Sequence, residues 1–105
     1  MRLLRLGLAN VNTTVGATDS NVERVISFCH KLFAEGVTLC ALPEQVLGGY
    51  PPEDLLLWPG FVSAQAKALS KLAAATADVP MVIGCGVLVQ AMEQVYNCAA
   101  FLFKG

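Results

Sequence analysis

The chain has 105 residues, of which 55% are hydrophobic and 14% charged; this length suits one small domain, and a mean hydropathy of +0.58 makes it more apolar than a usual self-contained soluble domain. The seven basic residues are scattered and the formal net charge is −1, which argues against nucleic acid as a partner. No apolar run approaches the roughly 18 residues of a membrane span and no signal peptide opens the chain, so we expect a cytoplasmic protein without membrane partners.

The first half of the chain predicts a strand followed by a helix. Residues 2–11 are rich in leucine and valine and are typical of a largely buried strand that leads into a polar loop. In the helix that follows, Ser20 and Glu23 match a capping box, apolar residues recur at helical spacing, and Gly36 suits a left-handed C-terminal cap.

The rest of the chain predicts a second α/β unit and a hairpin. Residues 37–42 indicate a second buried strand, and the strand–helix–strand order predicts a parallel pair. Residues 43–59 contain glycine and proline pairs typical of a structured loop, and the alanine-rich residues 61–77 predict a second helix. Two further apolar runs, residues 81–88 and 96–103, most simply form an antiparallel hairpin.

The cysteines and the single histidine do not follow a metal-binding pattern. There is no C-x-x-C spacing, and only His30 is available to complete a zinc site, so we expect no metal site and interpret His30 as a partly exposed helix residue. Gly84 and Gly86 lie within an apolar strand and lack the third glycine of a dinucleotide-binding motif, so no cofactor site is expected in this chain. The four cysteines are expected to be reduced and to pack in the core as small hydrophobic residues. They are Cys29, Cys40, Cys85 and Cys98.

A carboxylate stands where an active-site acid would be expected. Glu44 follows the second predicted strand directly, and an acid at the mouth of a buried strand is partly desolvated, which favours general-base chemistry at neutral pH. The alternative is an ordinary surface-loop or helix-capping acid. Position alone leaves both interpretations open.

The segment around Glu44 resembles the catalytic-glutamate segment of glutamine-dependent NAD synthetases, a branch of the nitrilase-like carbon-nitrogen hydrolases. The resemblance rests on Leu-Pro-Glu at residues 42–44 and on Gly-Tyr-Pro-Pro-Glu-Asp-Leu-Leu at residues 49–56. Pro-Glu alone marks the wider superfamily, whereas the second motif points to the synthetase branch. Weaker similarity extends over nearly the whole chain, at residues 8–12, 14–16, 20–21 and 96–100.

The resemblance implies a fold and a catalytic set. The fold is α/β, part of a four-layer α-β-β-α sandwich in which two sheets pack face to face. A glutamate, a lysine and a cysteine act together: the thiolate attacks the side-chain amide carbon of glutamine, the glutamate moves protons, and the lysine stabilises the oxyanion. Glu44 matches the glutamate. Tyr50 matches a tyrosine close to the glutamine pocket, although a buried tyrosine that braces a Gly-Pro loop explains it nearly as well.

The resemblance also implies that the catalytic set is incomplete within residues 1–105. The family lysine lies beyond the last predicted strand, so Lys104 is not assigned to it, and none of the four cysteines occupies the place of the nucleophile. We therefore expect residues 1–105 to be the N-terminal part of the glutaminase domain of a longer protein, and to be inactive alone. ATP, Mg²⁺ and deamido-NAD belong to a synthetase domain outside this chain, and the parent enzyme is expected to be a homo-oligomer.

Two alternatives to a synthetase remain from sequence. The first is part of a stand-alone nitrilase or amidase, which would act on simple amides or nitriles without ATP. The second is a short, non-catalytic interaction module.

Overall fold

Four strands form one mixed sheet in the computed structural model, which describes residues 1–105. The strands are β1 (Leu6–Leu8), β2 (Leu39–Ala41), β3 (Val82–Ala91) and β4 (Gln94–Leu102), and they lie in that order across the sheet. β1 pairs with β2 and β2 with β3 in parallel, whereas β3 and β4 are antiparallel. The predicted parallel pair and the predicted hairpin are therefore both confirmed.

Two α-helices cover one face of this sheet. They are α1 (Thr18–Ala34) and α2 (Pro59–Ala75), and a 3₁₀ helix at Glu53–Leu57 interrupts the long loop before α2. Both predicted helices are confirmed. Gly36 has φ +85°, so the predicted left-handed residue after α1 is confirmed as well, at a conformation that glycine adopts without strain.

The predicted capping box of α1 is wrong. The helix begins at Thr18, and its N-cap residue, Ala17, offers no side-chain hydrogen bond. Ser20 therefore lies within the first turn, where its hydroxyl donates to the Ala17 carbonyl oxygen at 3.1 Å. Glu23 instead accepts a hydrogen bond from Lys71 of α2, and this contact raises the pKa of Lys71. Glu23 is thus engaged by the other helix and does not reach back to cap α1.

The helices also meet near their C-terminal ends. His30 is exposed, as predicted, and its Nε2 lies 3.0 Å from the carbonyl oxygen of Ala75, the last residue of α2. A ring nitrogen at this position satisfies a carbonyl that has no partner within its own helix. Neither helix is long and apolar enough to cross a lipid bilayer.

The first strand is shorter and less buried than its sequence predicts. Residues 2–11 were expected to form it, but only Leu6–Leu8 pair with β2, and the Leu6 and Leu8 side chains are 61% and 85% exposed. Gly7, between them, faces the helices, where a Cβ would lie 3.0 Å from Val37 Cγ1. The expectation of burial on both sides fails because only one sheet face is covered.

The hydrophobic core lies between the helices and this covered face. Cys29 of α1, Cys40 of β2 and Cys85 of β3 are all fully buried in it, whereas Cys98 of β4 is half-buried and packs against it. All four thiols are free, so their predicted packing role is confirmed for three and partly met by the fourth. No group of three or more His, Cys, Asp or Glu side chains is arranged to hold a metal ion.

The opposite sheet face has no layer over most of its area. Register places Leu6 beside Leu39 and Gly84 beside Phe101 on this face, and the side chain of Phe101 is 73% exposed. We call the surface formed by Leu6, Leu8, Leu39 and Phe101 the open apolar face. It is the face on which the second sheet of a four-layer sandwich would pack.

Candidate active site

Glu44 lies just beyond the carboxyl end of β2, an inner strand of the sheet. The amide of Leu42 donates the last ladder bond, to the Gly84 carbonyl oxygen at 2.9 Å, and Pro43 has no amide hydrogen with which to continue it. Gln45 then adopts φ 49° and is buried, so the chain turns back over the sheet. The turn leaves Glu44 on the same side as the open apolar face.

The backbone around Glu44 lies directly on β3. A Cβ at Gly86 would stand 2.4 Å from the Gln45 amide nitrogen, 2.6 Å from the Pro43 carbonyl oxygen and 2.8 Å from the Cα of Glu44. These distances are too short for any side chain, so only glycine lets the loop approach the strand this closely. Gly86, which lies in a strand and so does not belong to a nucleotide-binding motif, therefore allows the Glu44 loop to pack against β3.

The carboxylate of Glu44 has one protein partner. Asn97 of β4 donates from Nδ2 to Oε1 of Glu44 at 2.6 Å, a short distance typical of a hydrogen bond to a charged acceptor. Oε2 accepts no hydrogen bond from the chain. The expectation that Glu44 is partly desolvated is wrong for residues 1–105, because its side chain is exposed above the uncovered sheet face.

A shallow cleft of about 390 Å³ opens beside this carboxylate. It is lined by small residues of β3 and β4, including Gly84 and Ala99, and by Pro43 and Phe101. Two of the buried thiols are poor candidates for a nucleophile. Burial raises the pKa of Cys85 to about 12, and the pKa of Cys29 is raised by its hydrogen bond to Cys40 and by burial. The same hydrogen bond lowers the pKa of Cys40, but Cys40 is fully buried in the core. The cleft therefore offers a proton acceptor, whereas three of the four thiols are buried in the core and Cys98 packs against it.

Two buried polar side chains fix the loop that carries Glu44. Asn21 of α1 donates from Nδ2 to the carbonyl oxygens of Thr14 at 2.8 Å and Leu47 at 3.0 Å, and its Oδ1 accepts from the Thr14 amide at 2.9 Å. Gln65 of α2 is fully buried, and its Oε1 accepts from the Leu88 amide at 2.9 Å. The Asn21 bonds tie the loop to α1. The Gln65 bond joins α2 to β3, and Gln65 supports the loop by packing: a Cβ on Gly48 would stand 2.4 Å from Gln65 Nε2.

Three residues that support the site are not predicted from the sequence: Asn97, Asn21 and Gln65. Asn97 is a polar residue in an otherwise apolar strand, which was a usable signal. Gln65 likewise interrupts the apolar stripe of its helix. Asn21 gave no such signal, because a polar residue in the first turn of a helix is ordinary.

Tyr50 does not join the cleft beside Glu44. Its side chain is 63% exposed and it precedes a cis peptide bond to Pro51. The alternative of a buried tyrosine that braces the loop is therefore wrong, because the loop is held by buried amides and close glycine contacts instead. A contact between Tyr50 and glutamine stays a prediction.

Comparison with known proteins gives consistent results for sequence and fold. No protein-family model matches the chain. It is 40% identical over 103 residues to the glutamine-dependent NAD(+) synthetase of Xylella fastidiosa and 33% identical over 103 residues to that of Aquifex aeolicus. The alignments cover 97% and 98% of this chain but only 18% of each relative, so the chain spans less than a fifth of their length.

Solved structures show the same fold. A glutamine-dependent NAD(+) synthetase from Cytophaga hutchinsonii superimposes with a TM-score of 0.89 at 24% identity, covering 96% of this chain and 17% of that one. An amidase from Nesterenkonia sp. superimposes with a TM-score of 0.84 at 17% identity, covering 96% and 38%. The higher sequence identities lie with the synthetases, which does not favour a stand-alone amidase. The fold is thus that of the carbon-nitrogen hydrolases, and the chain belongs to the glutamine-dependent NAD(+) synthetase family, matching the N-terminal portion of its relatives.

Proposed function

We propose that residues 1–105 supply the general base of the glutamine-hydrolysing site of an ATP-dependent NAD synthetase, and that Glu44 is this base. The observation that carries the proposal is the geometry of its carboxylate at the rim of the cleft. One oxygen is held by Asn97 at 2.6 Å, and the other is free to accept a proton. A base that is held at one oxygen and open at the other suits repeated proton transfer.

The proposed reaction requires a cysteine and a lysine from outside residues 1–105. Glu44 takes the thiol proton, and the thiolate attacks the side-chain amide carbon of glutamine. Glu44 returns this proton to the amide nitrogen as the C–N bond breaks, which gives a glutamyl thioester and ammonia. Glu44, again deprotonated, then takes a proton from the water that attacks the thioester, and the leaving thiolate regains that proton as glutamate is released. A solved glutamate-to-leucine mutant of the Nesterenkonia amidase carries the acetamide moiety of fluoroacetamide at its active-site cysteine, which supports cysteine chemistry on this fold.

The ammonia would serve a second reaction, the amidation of deamido-NAD driven by ATP. In support, a glutamine-dependent NAD(+) synthetase from Acinetobacter baumannii, 30% identical, was solved with adenosine diphosphate. We assign no residue of this chain to ATP, Mg²⁺ or deamido-NAD, which would bind in a separate synthetase domain. The enzyme is proposed to be a cytoplasmic homo-oligomer. Tyr50, exposed in the loop after Glu44, is proposed to border bound glutamine once the rest of the domain covers it.

Substitution of Glu44 tests the proposal in the complete enzyme that contains residues 1–105. Glu44→Gln keeps the shape of the side chain but removes the base, so glutamine-dependent ammonia release should fall by about 10²- to 10⁴-fold. Glu35→Gln is the matched control, because Glu35 is an exposed acid at the far end of α1 whose side chain makes no hydrogen bond. Wild-type ammonia release by Glu44→Gln would contradict the proposal.

A further inference from the structure

We infer that Asn97 is a positioning residue for Glu44, one that holds its carboxylate in the geometry required for proton transfer. The inference rests on the proposed role of Glu44 as the base. Its structural basis is the hydrogen bond from Asn97 Nδ2 to Glu44 Oε1 at 2.6 Å, which joins residues 53 positions apart.

Asn97 has the rigidity that Glu44 lacks. It lies within β4, where its backbone pairs with Leu88 in the antiparallel ladder, and its short side chain has only two rotatable bonds. Glu44 lies in a loop, and its exposed side chain has one more rotatable bond and no other partner. An exposed glutamate that is not held samples several rotamers, and only some of them would reach the reacting thiol. The ladder residue therefore restricts the loop residue.

Gly86 and Asn97 act on different parts of Glu44. The close approach at Gly86 fixes the backbone, because a Cβ there would lie 2.8 Å from the Glu44 Cα. The Asn97 amide fixes the far end of the side chain. Gly86 pairs with Ala99 in the same ladder in which Asn97 pairs with Leu88, so one hairpin sets both ends. The carboxylate is thereby located relative to the sheet, although it is attached to a loop.

The chemical type of the donor also suits a base. A lysine or arginine in this place would form an ion pair that competes with every proton the carboxylate must accept. The amide of Asn97 is neutral and occupies only Oε1, so it orients the group while Oε2 remains available. An amide therefore combines orientation with continued basicity.

The test compares two substitutions of Asn97 in the complete enzyme that contains residues 1–105. Asn97→Asp keeps the shape of the side chain but replaces the donor by an acceptor, whereas Asn97→Ala removes volume as well. If Asn97 positions Glu44, the kcat for ammonia release falls by about 10- to 100-fold in Asn97→Ala, and the KM for glutamine stays within about twofold. Asn97→Asp should be the slower of the two, because it sets a negative charge against Glu44.

The rank order separates positioning from a merely structural role. A structural role predicts the reverse order, because aspartate is nearly identical in shape to asparagine and alanine is not. Gln90→Ala is the matched control. Gln90 is exposed in the same hairpin and its side-chain amide makes no hydrogen bond, so its loss should leave kcat unchanged. Asn97 is exposed within residues 1–105, so neither substitution disturbs the core of this chain. If one variant of the complete enzyme does not fold, the kcat and KM of the other decide.

Glu44→Gln, assayed in parallel, distinguishes the two ways of failing. An inactive Glu44→Gln together with Asn97 variants of wild-type kcat would overturn the positioning role alone. A fully active Glu44→Gln would overturn the proposed function and this inference with it. Asn97→Ala slower than Asn97→Asp, or a loss confined to KM, would also overturn the positioning role.

Discussion

Gly86 lies so close beneath Glu44 that a Cβ on Gly86 would stand 2.8 Å from the Glu44 Cα. Gly86→Ala should therefore push the loop off β3 and displace the carboxylate. We expect a loss of about 3 kcal/mol in the free energy of unfolding, the upper end of ordinary overpacking, because the opposing atoms are backbone and cannot rotate away. Urea unfolding of the variant measures this loss, and ammonia release by the complete enzyme should fall with it.

Gly84→Ala is the matched control for that substitution. Gly84 lies on the same face of the same strand, but its Cβ would lie 3.3 Å from the ring of Phe101, which can shift, and 3.7 Å from the Cys40 carbonyl oxygen, an ordinary van der Waals contact. We expect a change of less than about 1 kcal/mol. Equal losses in both variants would show that a Cβ at either glycine of β3 is equally destabilising. That result would contradict a specific role of Gly86 in seating the Glu44 loop.

Asn21 should contribute more to stability than its polar character suggests. It is buried, and its three hydrogen bonds join the loop after β1 to the loop that carries Glu44. Asn21→Ala leaves an amide and two carbonyl groups with fewer partners, which should cost about 2–4 kcal/mol by urea unfolding. Ser20→Ala, next to it, loses one exposed bond to Ala17 and should cost less than about 1 kcal/mol. A loss in Asn21→Ala no greater than that in Ser20→Ala would argue against the anchoring role.

Burial of Cys85 should make the fold sensitive to alkali. Burial raises the pKa of Cys85 from 9.0 to about 12, so the native state keeps a proton that the unfolded state loses above pH 9. Since the native state then binds more protons, its stability falls with rising pH between 9 and 12, by up to about 1.4 kcal/mol for each pH unit. Below pH 9 the thiol is protonated in both states and contributes no such slope.

Cys85→Ala provides the comparison for the alkaline effect. Other groups also titrate above pH 9, so the measured quantity is the difference in free energy of unfolding between wild type and Cys85→Ala, at one fixed protein concentration. At pH 8 this difference reflects only the lost packing. It should shrink as the pH rises to 11, and a difference that stays constant would show that Cys85 ionises as readily in the fold as in the unfolded chain.

Much of the architecture was predictable because it depends on local patterns. The order of strands and helices, the parallel pair, the hairpin and the left-handed Gly36 all follow from periodicity and turn residues. The capping box failed because α1 begins at Thr18, before Ser20, and Glu23 instead pairs with Lys71 of α2, a partner that a local pattern does not show. The burial of β1 and Glu44 was overestimated because the sequence of a half-covered sheet resembles that of a fully covered one. The Asn97–Glu44 hydrogen bond joins residues 53 positions apart, so it could be identified only once the fold was known.

The purified chain of residues 1–105 should release no ammonia from glutamine. Its cleft contains the proposed base, but burial raises the pKa of Cys85, Cys29 and Cys40 are also buried, and Cys98 packs against the core. Without a thiolate that glutamine can reach, no thioester forms. Ammonia measured by a coupled assay should stay at the level of a buffer blank, with the complete enzyme as the positive control. Ammonia release above the blank that Glu44→Gln abolishes would mean that this chain holds its own nucleophile.

The open apolar face should make the isolated chain self-associate. Leu8 and Phe101 on this face are 85% and 73% exposed, and burial of such side chains against another copy is favourable by roughly 25 cal/mol for each Å² of apolar surface. Sedimentation velocity should show oligomers or aggregates whose fraction rises with concentration. Phe101→Glu should reduce that fraction, because a charge on this face opposes its burial. Ala74→Glu adds the same charge on an exposed position of α2 and should not. A monodisperse monomer for the unmodified chain, or equal effects of the two substitutions, would mean that the open face does not drive association.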